Sequence, residues 1–95
     1  MSRQELDSKI VSYLAKYQPL RIGVFGSFAR GEEVATSDLD LLVSFKKPFG
    51  LLQLVRIERE LSELLGTKVD LVTERALKNE KLIKYIQQDL QIIYG

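Results

Sequence analysis

The sequence predicts a small α/β domain in which helices pack against one sheet. Three observations carry this prediction. Short β-rich runs alternate with stretches of helical apolar spacing along the chain. Its 95 residues suffice for one compact unit with one core, and residues 1–95 are read as a single domain. Hydrophobic residues make up 45% and charged residues 28%, ordinary values for a folded soluble protein.

The elements follow in order. Ser2 with Glu5 fits a capping box, and Leu6, Ile10, Leu14 and Tyr17 recur at helical spacing until Pro19. Arg21 to Phe25 is a short strand halted by the Gly26-Ser27 turn, with a brief helical turn expected at Phe28 to Arg30. A polar loop leads to Asp38 to Phe45, the clearest strand. Leu51 to Leu65 is an amphipathic helix with Leu51, Leu54, Leu61 and Leu65 on one face, and Gly66 stops it. Lys68 to Thr73 reads as a third strand. Asn79 starts a last helix whose apolar face is expected to include Leu82, Ile86, Leu90 and Ile93.

Composition excludes whole classes of chemistry. The chain has no cysteine and no histidine, so thiolate nucleophiles, zinc-hydrolase sites and Ser-His-Asp arrangements are impossible. Carboxylates, hydroxyls, Lys, Arg, Tyr or bound ions must do any catalysis. A formal net charge of +1 gives no reason to expect direct nucleic-acid binding. No apolar run is long enough for a membrane span, and the charged start lacks a signal-peptide core, so a cytoplasmic location is the default expectation.

The chemistry concentrates at Gly26-Ser27-Phe28-Ala29-Arg30-Gly31 and Ser37-Asp38-Leu39-Asp40. Strand alternation is expected to point Asp38 and Asp40 one way and Leu39, Leu41 and Val43 the other. Two adjacent carboxylates repel, and Mg²⁺ relieves that repulsion because it favours carboxylate oxygens together with substrate phosphates. A glycine directly after a strand allows close backbone approach, the next helical turn offers N–H groups to an anion, and Ser27 adds a hydroxyl. Read alone, the acids could be loop-edge surface residues and Gly-Ser an ordinary turn; together they suit phosphates and the ions that bridge them. Asp70, an acid within the apolar run Lys68 to Val72, is the natural third carboxylate of a two-metal site.

These residues resemble the signature of the DNA polymerase β-type nucleotidyltransferase superfamily, and Ala29-Arg30-Gly31 is similar to its small prokaryotic branch, the minimal nucleotidyltransferase (MNT) domains. The resemblance implies the small nucleotidyltransferase fold, with a mixed sheet of at least three strands packed against helices. It implies that Gly26 and Ser27 hold the triphosphate, that Asp38 and Asp40 ligate two Mg²⁺ ions, and that Asp70 is the third acid, assisting deprotonation of the acceptor. Arg30 is read as bracing the loop, and Glu74 as a helix-capping residue rather than a metal ligand. Lys78, Lys81 and Lys84 are read as a solvated helix face, and the four tyrosines as core or rim aromatics. Larger superfamily members carry extra domains that grip the acceptor, so here acceptor recognition is expected from a partner chain or a second copy. Many MNT domains are paired with HEPN ribonuclease toxins, which implies an antitoxin that transfers AMP from ATP to a toxin tyrosine. Neutralisation by binding alone, or transfer to an aminoglycoside-type small molecule with a partner subunit, are the alternatives.

Overall fold

A computed structural model describes residues Met1–Gly95. The chain runs through α1 (Arg3–Leu14), β1 (Pro19–Phe25), α2 (Ser27–Arg30), β2 (Leu39–Phe45), α3 (Leu51–Leu65), β3 (Val69–Thr73), α4 (Glu80–Asp89) and β4 (Gln91–Tyr94). Single 3₁₀ turns follow α1 and β3. The first helical run ends at Tyr17, ahead of Pro19 as expected; Gln18 makes the reversal in a left-handed conformation, and Pro19 opens β1, two residues before the predicted strand start. The two predicted caps form, since Ser2 Oγ accepts from Glu5 N and Asn79 Oδ1 accepts from the N–H groups of Lys81 and Leu82.

The four strands form one sheet in the order β3-β2-β1-β4. β1 is antiparallel to β2 and β4, while β2 and β3 are parallel, joined by α3 as the crossover that parallel neighbours require. Ile22, Val24, Leu39, Leu41, Val43 and Val69 pack with α1 and α3 in the main core. Phe25 and Leu42, which strand alternation turns to the other face, meet Ile86 of α4 in a smaller cluster.

The last helix is shorter than its apolar spacing predicts. Leu90 has left the helix (φ −60°, ψ 124°), and its side chain packs on Gly23. Ile93 belongs to β4 and packs against the main core, on the opposite face from Ile86. The β-branched run Ile92-Ile93 ahead of Tyr94 suits a strand, and pairing with β1 satisfies backbone groups that a frayed helix end would leave open.

β3 is an edge strand, and α3 closes its outer side. Glu58 Oε2 accepts from Leu71 N at 2.8 Å, and Ser62 Oγ accepts from Val69 N at 2.9 Å. These side chains stand where a neighbouring strand would supply carbonyls. Because a carboxylate–backbone bond is stronger than a neutral one, Glu58→Ala is expected to cost about 1–2 kcal/mol. The urea midpoint of the variant checks this; an unshifted midpoint would show that the bond contributes nothing net. No helix is long and apolar enough to cross a membrane.

Candidate active site

The site is built at the end of the sheet where β1 stops and β2 and β3 begin. Phe25 pairs with Asp40, and Asp40 pairs with Asp70. The ladder therefore places two acids in register on neighbouring parallel strands, with side chains on the same face. Asp38 lies one residue before β2, which starts at Leu39, so the predicted strand start is early by one residue. No ladder sets its direction. Its carboxylate is 3.8 Å from Lys68 Nζ and about half exposed. Asp70 is exposed and Asp40 partly buried.

Burial first, then the charges of Asp70 and Asp38, pushes the Asp40 carboxyl above its ordinary range, while Arg30 pulls the other way. The three acids are thus electrostatic neighbours. No group of three or more His, Cys, Asp or Glu side chains converges closely enough to ligate one ion. Mg²⁺ needs only one or two carboxylates when phosphates complete its shell, so the oxygen-only donors Asp38 and Asp40 fit it in chemistry.

The raised pKa is also a stability statement. Asp40 holds its proton more tightly folded than unfolded, so its ionisation destabilises the fold as pH rises through the raised pKa. At neutral pH the cost is present; it fades as pH falls through the raised pKa and is gone below the ordinary 3.8. Without added divalent metal, Asp40→Asn is expected to melt above the parent at pH 7, with the gain shrinking toward pH 3.5. Melting curves at both pH values check the sign, and a destabilised variant at pH 7 would contradict it.

Gly26 is buried against this cluster. Its φ of 74° and ψ of −153° lie in a region essentially reserved for glycine. A Cβ built there would stand 2.2 Å from Asp40 Oδ2. The turn residue and the acid predicted to act together are therefore in contact distance, although they come from different strands. Ser27 opens α2, half-buried, directly after it.

Arg30 braces this end of the fold, as its sequence reading expects. Its Nε donates to Glu32 and its Nη1 to Asp89 Oδ2 at 2.9 Å, tying α2 to the end of α4. Gln91 Nε2 donates to Ala29 O at 2.8 Å and Arg3 Nη1 to Phe28 O at 3.1 Å. Sequence reading did not single out Asp89, Gln91 or Arg3, and no local spacing signals contacts across 25 to 62 residues. Glu74 sits beyond the far end of β3 from Asp70, bonded to Arg21. Lys78, Lys81 and Lys84 are exposed with no ion pair, and of the tyrosines Tyr13 and Tyr17 pack against the core while Tyr85 and Tyr94 are exposed.

A mixed four-stranded sheet, covered by helices and carrying acids beside a glycine turn at one end, defines the small nucleotidyltransferase class of fold. Residues 7–93 match the family model described as the nucleotidyltransferase domain, and the chain belongs to that family. A Methanocaldococcus jannaschii protein, named as a candidate protein adenylyltransferase, is 45% identical over 75 residues, covering 79% of this chain and 76% of its own. The solved structure of a candidate minimal nucleotidyltransferase superposes with a TM-score of 0.74 at 38% identity, over 94% of this chain and 89% of that one. A chain in the solved complex of a tri-AMPylated HEPN toxin from Shewanella oneidensis with an MNT antitoxin gives a TM-score of 0.81. That match covers 99% of this chain and 73% of the other at 21% identity, a likeness of fold alone.

Proposed function

We propose that this chain is the antitoxin of a toxin–antitoxin pair, an Mg²⁺-dependent nucleotidyltransferase that silences a HEPN-type ribonuclease by transferring AMP from ATP to a tyrosine hydroxyl. The observation that carries the chemistry is the Asp40–Asp70 register beside the buried Gly26 turn. The partner is supported by the relatives, whose names and complexes join adenylyl transfer to a HEPN toxin. Residues 1–95 act as one catalytic domain in this reading, working in the cytoplasm.

Gly26 lets the backbone come close to the triphosphate, and Ser27 contributes a hydroxyl and a helical-turn N–H to its oxygens. Asp38 and Asp40 would hold two Mg²⁺ ions, with Asp70 as the third acid. When bound, the ions supply charge for the α-phosphate and the departing pyrophosphate. Asp70, more exposed than Asp40, takes the proton of the acceptor hydroxyl as its oxygen attacks the α-phosphorus in line. The new bond joins that oxygen to phosphorus, the bond between the α-phosphorus and the bridging oxygen breaks, and pyrophosphate leaves.

Intact mass spectrometry of a co-purified HEPN partner, before and after incubation with Mg-ATP, tests the proposal. A gain of one or more AMP units, absent with Asp38→Asn, is the expected result. A tight complex with no gain in mass would move the function to neutralisation by binding.

A further inference from the structure

Three apolar side chains at the start of α3 are left uncovered. Leu51 is 75% exposed, Leu52 87% and Val55 51%. Helical spacing sets Leu51 and Val55 on the row that continues through Glu58 and Ser62, the two residues that close the edge of β3. Those polar contacts reach no further than Leu71, and past them the row is apolar. A groove of about 300 Å³ opens there between the start of α3 and the chain leaving β3, lined in part by Phe45, Pro48, Leu51, Leu54 and Arg75.

The charges left free around the groove are basic, since Glu58 is bonded to Leu71 N and Glu74 is paired with Arg21. From Leu41 through Ile57 the sequence holds Lys46, Lys47 and Arg56 and no acid. Lys46, Lys47 and Arg75 are exposed and form no salt bridge, whereas Arg56 is paired with Glu60. The start of α3 has no acid in its first turn, so the helix dipole adds to the same sign.

We propose that this groove docks an acidic amphipathic helix of a partner protein. Its apolar face lies on Leu51 and Leu54 of the groove and on the exposed Leu52 and Val55 beside it, and its acidic flanks meet Lys46, Lys47 and Arg75. The alternatives fit less well. Strand addition is restricted because Glu58 and Ser62 already occupy the N–H groups of Leu71 and Val69, which leaves only the last residue of β3 for pairing. A second copy meeting this patch with the same patch would set its basic rim against an identical one. A lipid surface would meet only the outermost side chains and leave the groove lined by Phe45, Pro48 and Leu54 unfilled, whereas a helix can seat a side chain in it. The groove lies at the Phe45 end of β2, about 16 Å from Asp40 at five residues of strand rise, so helix and nucleotide can be bound together.

The test uses a dye-labelled synthetic helix with leucines at i, i+3, i+4 and i+7 and glutamates on its flanks. A second peptide of the same pattern carries lysine in place of glutamate. Fluorescence anisotropy at low salt is expected to show the glutamate peptide binding at least about tenfold more tightly than the lysine peptide. Leu52→Glu is expected to weaken that binding by about tenfold or more; at 87% exposure the position tolerates the change without unfolding. The double variant Lys46→Glu with Lys47→Glu should erase the preference for the acidic peptide. Absence of binding by the parent chain, or binding that Leu52→Glu leaves unchanged, overturns the proposal. So does a dimer in sedimentation that Leu52→Glu dissociates, which gives the patch to a second copy. Binding to vesicles of anionic lipid that needs Leu52, without peptide binding, gives it to a membrane and overturns the proposal as well.

Discussion

An Asp40→Asn chain is expected to fold and to lose nucleotidyl transfer by about 10³-fold or more in kcat/KM, about 4 kcal/mol of transition-state stabilisation. The size follows from where Asp40 stands. It is in register with Asp70, paired through the ladder with Phe25, and packed against the Gly26 turn. Asn keeps the shape and one oxygen but removes the charge that would hold Mg²⁺. Asp38→Asn is expected to act in the same direction. Asp70→Asn should cost less, about 10²-fold, because in the proposed division of roles it removes a proton acceptor and leaves the pair that would bind the ions. Transfer of AMP to the partner, followed by mass at fixed ATP with Mg²⁺ varied, separates these cases. If excess Mg²⁺ restores Asp38→Asn and Asp40→Asn partly and leaves Asp70→Asn unchanged, the division of roles holds. Full activity in a well-folded Asp38→Asn/Asp40→Asn double variant would sink the catalytic reading.

The same substitution carries its own control for folding. An acid kept beside two others is a local cost to stability, so on the proposed function Asp40→Asn is expected to lower activity while raising the melting temperature at pH 7. A variant that loses both would point to a structural role instead. Mg²⁺ with nucleotide is expected to stabilise the parent by mass action and the variant much less. That difference reads the site without any turnover.

Much of this arrangement is legible in the sequence. Apolar alternation in Leu39, Leu41 and Val43 marks β2, and the buried stripe of α3 marks the helix that crosses over to β3. Once a crossover helix joins two strands, parallel pairing brings their starts to the same end, and this is why Asp40 and Asp70 meet. The direction of β1 could not be read this way, because strand runs alone carry no sign of pairing direction. The end of α4 departs from its sequence pattern for a specific reason. Ile86, Leu90 and Ile93 keep helical spacing, yet the same residues also serve as a helix end followed by an inward-facing strand residue. Tertiary pairing with β1 decides between them. Contacts such as Arg30–Asp89 span 59 residues and leave no periodic trace.

Gly26→Ala is the second large effect, and its comparison with Gly31→Ala separates backbone strain from contact with the site. Both glycines have positive φ, 74° and 70°. At Gly31 an added methyl meets nothing within 4 Å, so the substitution carries only the left-handed penalty, about 1 kcal/mol. At Gly26 the backbone lies outside even that region, at an expected cost of about 1–3 kcal/mol, and the methyl would overlap Asp40 Oδ2 at 2.2 Å. Either the turn or the carboxylate must move. Displacement of a reacting group by about 1 Å costs on the order of 10²-fold in rate. Gly26→Ala is therefore expected to lower transfer by about 10²-fold or more and to weaken nucleotide binding, while Gly31→Ala keeps near-parental transfer with a small loss in melting temperature. Equal losses of activity in both variants would mean that the turn acts through stability alone. Full activity in a folded Gly26→Ala chain would show that the close approach of Gly26 to Asp40 has no part in the chemistry.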